Sequence, residues 1–126
     1  MASRDSQNRE TTRRRLESQV SEGLAHLIAA LDSESAGDVI ANGDGNHVLI
    51  RGTGWRRFGE RSSDASRERT LKSIASLLGG SLTAEEPALA GKIEHLGIRV
   101  QGAIPPLSPS PEIALRRPPE KVFSLD

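Results

Sequence analysis

The chain has 126 residues, enough for one domain around one core. Lys and Arg number 17, as do Asp and Glu, so the formal net charge is zero, which argues against a protein held on nucleic acid by bulk charge. There is no cysteine for disulfide or thiolate chemistry, no apolar run near the ~20 residues of a membrane span, and no apolar signal core in "MASRDSQNRE", so a cytosolic domain is expected.

Aromatics make up only 2% of the chain, so the core must come from Leu, Ile, Val and Ala. Residues 1–10 are polar and are expected to be frayed. A helix follows, because Leu16, Val20, Leu24, Leu27, Ile28 and Leu31 recur at spacings of three and four. Arg13, Arg14 and Arg15 fall in its expected first turns, where cations oppose the helix dipole. "DSESAGD" ends it. "DVIANGDGNHVLIRGTGWRRFGE" (38–60) reads as short strands and turns, with "NGDG" rich in residues that tolerate positive φ. "HVLIR" should pair back on "DVIA", and "WRRFG" should follow "GTG" as a third strand. These glycines are not a phosphate loop, which needs Gly-x-x-x-x-Gly-Lys-Ser/Thr leading into a helix.

A second helix is expected over 64–78, with Leu71, Ile74, Ala75 and Leu78 as its apolar stripe. Ser62 or Ser63 is placed to cap it, Asp64 suits its positive end, and Gly79–Gly80 should stop it. "EEPALAGKIEH" (85–95) reads as an extended piece, turning near His95 and Gly97. "GIRVQGAIPP" and "EIALRRPP" are two further strands, joined by "PLSPSP", and Pro118–Pro119 forbid further pairing. Helix, strands, helix, strands with tight turns define an α+β domain, a largely antiparallel sheet with two main helices packed on it. The domain should occupy 11–117, with 118–126 opening a linker.

No complete active site is visible. The three histidines, His26, His47 and His95, lie in different elements without metal-ligand spacing. No serine sits in a nucleophile elbow, and no carboxylate pair stands out. The arginines remain. Alternation sends Ile98 and Val100 to one face and Arg99 and Gln101 to the other, and likewise separates Ile113 and Leu115 from Ala114 and Arg116. A hairpin pairing 99 with 116 would set two guanidinium groups side by side, where they repel unless an anion lies between them. A one-residue slip would undo this, and the alternative is two unrelated surface arginines.

"DVIANGDGNHVLIR", "GIRVQGAIPP" and "EIALRRPPEKVFSLD", in this order from about Arg14 to Asp126, resemble the N-terminal domain of the conjugal-transfer traffic ATPases of type IV secretion, within the type II/IV secretion ATPase superfamily. The resemblance implies a cytoplasmic homohexamer at the inner membrane, working with the secretion machinery. An N-terminal ring would stack on a C-terminal ATPase ring, with ATP and Mg²⁺ between them. By motif match it assigns Arg99 and Arg116 to the nucleotide phosphates, with Arg117 a possible auxiliary where relatives often carry Lys. The chain ends at Asp126, before the phosphate loop, the acidic Mg²⁺ box and the catalytic glutamate of the family. It is therefore expected to be an isolated or truncated N-terminal domain that holds no cofactor alone. The alternative is a free-standing adaptor that binds protein partners or an anionic ligand. Direct nucleic-acid binding is not expected, since stacking aromatics are almost absent.

Overall fold

The structure is a computed structural model that describes residues 4–33 and 36–118. Its elements are α1 (Arg4–Leu31), β1 (Ala36–Asn42), β2 (Gly45–Ile50), β3 (Gly54–Phe58), α2 (Asp64–Leu77), β4 (Ala88–Ile93), a 3₁₀ turn (Glu94–Leu96), β5 (Ile98–Ala103) and β6 (Glu112–Arg116). The six strands form one sheet in the order β3-β2-β1-β6-β5-β4, and every pairing is antiparallel. This is the α+β architecture expected from the sequence.

Both helices cover one face of the sheet. From α1 come Val20, Leu24, Leu27 and Leu31, and from α2 come Leu71, Ile74 and Ala75, all buried. Beneath them lie Val39, Val48, Val100, Ile113 and Leu115 from the strands. Their close approach needs small residues. A Cβ on Gly23 would sit 2.5 Å from Thr70 Oγ1, and one on Gly102 would sit 2.3 Å from Leu71 Cδ2. Residues Thr70 and Leu71 are where α2 presses on α1 and on β5.

Local signals account for the ends of α2. Ser63 Oγ accepts the Ser66 N–H at 3.1 Å, the expected N-cap. At the other end Gly79 takes φ +84, its N–H donates to Ser76 O at 3.0 Å, and Gly80 N–H donates to Ala75 O at 2.8 Å. That pair of bonds is a Schellman cap. Leu78 is the C-cap residue and is 37% exposed, so the apolar stripe ends one turn earlier than its spacing suggests.

Two expectations need correction. The helix α1 opens at Arg4, so residues 4–10, expected to be frayed, are helical, though all of them are exposed. Consequently Arg13–Arg15 lie in the third turn or beyond rather than at the helix start, and the dipole argument does not reach them. They sit instead among i,i+4 partners: Arg14 with Glu10 at 3.2 Å and Arg13 with Glu17 at 3.4 Å. Of the two glycines in the β1–β2 turn only Gly45 has positive φ (+140), and Asn42 Oδ1 closes the turn by accepting from Asp44 N and Gly45 N. Residues 119–126, which cover most of the expected linker, lie outside the described residues.

Candidate functional site

The sheet face away from the helices is open, and its side chains follow from strand alternation. Val39, Val48, Val100 and Leu115 point under the helices, so their sequence neighbours point outward. Register then sets who stands beside whom. Trp55 pairs with Leu49, Leu49 with Asp38, Asp38 with Arg116, Arg116 with Arg99, and Arg99 with Lys92. These residues from all six strands make one row across the open face.

Arg99 and Arg116 are therefore brought together by the pairing that the alternation allowed. Their electrostatics differ from the expected bare pair. Arg116 Nε donates to Asp38 Oδ1 at 2.8 Å, and Nη2 donates to Oδ2 at 3.4 Å. This hydrogen bond, then the Asp38 charge, raises the Arg116 pKa further above its ordinary value. The repulsion expected between the two guanidinium groups is thus relieved from the β1 side by a carboxylate of the chain itself, with no external anion required. Arg99 is exposed and has no hydrogen-bond or ion-pair partner among the described residues, and its other neighbour in the row is the cation Lys92. Lys92 approaches Glu94 only at 3.9 Å.

A concave cavity of about 470 Å³ collects Asp38, Ile40, Trp55, Arg99, Gln101 and Arg116, with backbone-flanking residues of β4–β6 as its floor. Arg117 is not among its lining residues and donates instead to Asp32, just past the end of α1. The structure thus joins Arg99 and Arg116 and leaves Arg117 on another ion pair. Sequence reasoning missed Asp38, Trp55 and Lys92. Asp38 shares the outward parity of Ile40 in "DVIA", which was the available signal, but its partner is 78 residues away. Chemically, the row can neutralise an anion at its β5 end, where positive charge is unpaired.

Among the described residues no group of three His, Asp or Glu side chains is placed to hold a metal ion. No described helix is long and apolar enough to cross a membrane.

Comparison with solved structures places the fold. The chain superposes on the VirB11 ATPase from the Brucella suis type IV secretion system, in complex with sulphate, with a TM-score of 0.72. The match has 16% sequence identity and covers 84% of this chain and 33% of that one. The architecture is thus one found within a type IV secretion ATPase. Among curated proteins, the probable conjugal transfer protein TrbB of Sinorhizobium fredii (strain NBRC 101917 / NGR234) is 31% identical over 101 residues, covering 79% of this chain and 31% of that protein. The conjugal transfer protein TrbB of Rhizobium radiobacter is 29% identical over 101 residues, with the same coverages of 79% and 31%. No family model matches. The chain is thus similar in sequence to the TrbB conjugal transfer proteins and shares the fold of part of a type IV secretion ATPase, in keeping with the resemblance read from its sequence. It spans about a third of the length of the curated relatives it matches, at 31% of each.

Proposed function

We propose that the chain is the N-terminal domain of a conjugative-transfer traffic ATPase and that Arg99 carries its contribution to nucleotide chemistry. The observation that supports this most directly is the unpaired guanidinium of Arg99 beside Arg116 on the open face. A planar, permanently charged fork matches a phosphate oxygen pair. Arg116 has a different part in this reading. It is held by Asp38 and orients the cationic end of the row rather than standing free for phosphate.

The residues present fit a phosphate chain and do not fit Mg²⁺. The only carboxylate of the row, Asp38, is engaged by Arg116, and the described residues bring no carboxylate cluster together. Hydrolysis of a phosphoanhydride also needs a positioned water and a phosphate cradle. In this reading those come from an ATPase domain, with neighbouring subunits of a homohexamer and the secretion machinery at the cytoplasmic side of the inner membrane as further partners. ATP with Mg²⁺ is then the cofactor set of the assembled protein.

The test is Arg99→Ala in a longer protein that carries the ATPase domain. A charge-assisted hydrogen bond contributes roughly 1.5–3 kcal/mol. Its loss should lower nucleotide affinity or turnover about ten- to a hundredfold. Arg99 is exposed, so stability should move by less than about 0.5 kcal/mol. Arg99→Lys should restore only part of the loss, because the planar fork is gone. Unchanged affinity and turnover in Arg99→Ala would return Arg99 to the role of a surface charge.

A further inference from the structure

We propose that the free edge of β3 is a strand-addition site for an acidic, extended segment of a partner protein. β3 ends the sheet order, and residues 54–58 make no backbone hydrogen bond beyond the ladder to β2 among the described residues. In an antiparallel ladder, alternate residues of such a strand turn their N–H and C=O groups away from the neighbour. Those groups are open to another backbone, and only a polypeptide carries donors and acceptors at the matching period.

The side chains of the edge select the partner. Residues 51–61, "RGTGWRRFGER", carry Arg51, Arg56, Arg57 and Arg61 against one acid, Glu60, in a chain of zero net charge. All four arginines are exposed. Arg51 lies in the β2–β3 turn, Arg56 and Arg57 lie within β3, and Arg61 follows its far end, so positive charge runs the length of the edge. Arg57 meets the exposed Asp44 at 2.8 Å, and Arg61 reaches Gly43 O at 3.5 Å. Arg51 and Arg56 have no hydrogen-bond or ion-pair partner among the described residues. Alternation puts Trp55, 51% exposed, and Arg57 on the open face, and Arg56 and the half-buried Phe58 on the other. A strand laid along Trp55, Arg56, Arg57 and Phe58 thus meets apolar, cation, cation and apolar groups in order. Its complement reads apolar, acid, acid, apolar. A second copy of β3 would instead bring arginine against arginine, which opposes self-pairing.

The experiment uses this chain and a short capped peptide, Thr-Val-Glu-Glu-Val-Thr, whose pattern reads the same in parallel and antiparallel orientation. Binding is measured by calorimetry, with the emission of Trp55, the chain's only tryptophan, followed in the same titrations. The peptide should bind and shift that emission. The same peptide with Lys in place of both Glu should bind about ten- to a hundredfold more weakly, because attractive cross-strand pairs become repulsive. Arg56→Glu combined with Arg57→Glu should invert the preference, so that the Lys peptide becomes the tighter ligand. Both residues are exposed, and circular dichroism should show the fold intact. N-methylation at alternate peptide residues separates strand addition from simple charge attraction. One phase of methylation should abolish binding and the other should leave it, because only one edge of an added strand faces β3. No binding by the Glu peptide, equal affinity of the parent chain for both peptides, or the same effect from both methylation phases would overturn the proposal. Tighter binding of single-stranded oligothymidylate, lost with the same two substitutions, would assign the edge to nucleic acid and overturn it too.

Discussion

Arg67 offers the sharpest test of how the fold is held. It is the largest fully buried side chain among the described residues, 2% exposed, on the helix α2. Its Nε donates to Pro111 O at 2.7 Å, its Nη1 to Ser62 O and, at 3.3 Å, to Ser62 Oγ, and its Nη2 to Asp64 Oδ1. One guanidinium thereby ties the first turn of α2 to the segment before it and to the loop entering β6. Arg67→Met keeps much of the volume and removes all of these donors. Breaking a buried ion pair costs about 3–5 kcal/mol when a charge is left stranded inside. Here the charge that remains, Asp64, is 62% exposed and returns to water, so that full cost does not apply. What remains is the desolvation of the buried Pro111 carbonyl and the half-buried Ser62 carbonyl, at about 1–3 kcal/mol for a fully buried acceptor. The expected loss is about 2–4 kcal/mol, roughly 8–16 °C in Tm for a domain of this size. Thermal unfolding followed by circular dichroism reads it directly. Arg67→Lys should recover less than half, since a compact ammonium cannot span the same acceptors. A loss in Arg67→Met below about 0.5 kcal/mol, the range of ordinary surface changes, would refute the reasoning.

Other outcomes follow from the same contacts. Gly102→Ala should cost about 1–3 kcal/mol in chemical denaturation, because the new Cβ meets the buried Leu71 side chain at 2.3 Å. Ser63→Ala should cost about 1 kcal/mol through loss of the α2 cap, measured in the same way. Arg116→Ala should lower Tm more than Arg99→Ala, because it leaves the partly buried Asp38 without its counterion, whereas Arg99 leaves nothing unpaired. Partial burial lowers the His26 pKa from 6.5, so the folded chain favours the neutral ring. That contribution is complete above pH 6.5 and is lost as pH falls through the lowered value, and His26→Gln should flatten the corresponding slope of Tm against pH.

The helices and the two-residue period of the strands were legible because they are local. The spacing of Val20, Leu24, Leu27 and Leu31 names the buried face of α1, and "SSD" before 65 and "GG" after 78 name the ends of α2. The buried stripe of α2 also runs through Arg67 and Thr70, at the right spacing ahead of Leu71, Ile74 and Ala75. Hydropathy hides them: a buried arginine is readable only when its acceptors are known, and Pro111 is 44 residues away. The site was half legible for the same reason. Alternation puts Arg99 and Arg116 outward, but the neighbour that neutralises Arg116 depends on β6 inserting between β1 and β5, a long-range pairing that no local pattern encodes. Trp55 and Lys92 joined the row through pairings of the same kind.

The site and the core are fixed by one register. Slipping β6 by one residue against β5 would turn Arg116 under the helices and Leu115 out to solvent. Burial of Ile113 and Leu115 against Val100 and Ile98 on the helix side therefore selects the pairing of Arg116 with Arg99 on the open side. The two like charges contribute nothing to that choice. Asp38 follows the same logic, since Val39 is fully buried opposite Leu115 and carries its neighbour outward beside Arg116. The charges of the open face are thus positioned by apolar packing on the other. This separation is why Arg99 can be replaced with little effect on folding, while a cavity made under the row, at Leu115, would disturb the geometry of every charge above it.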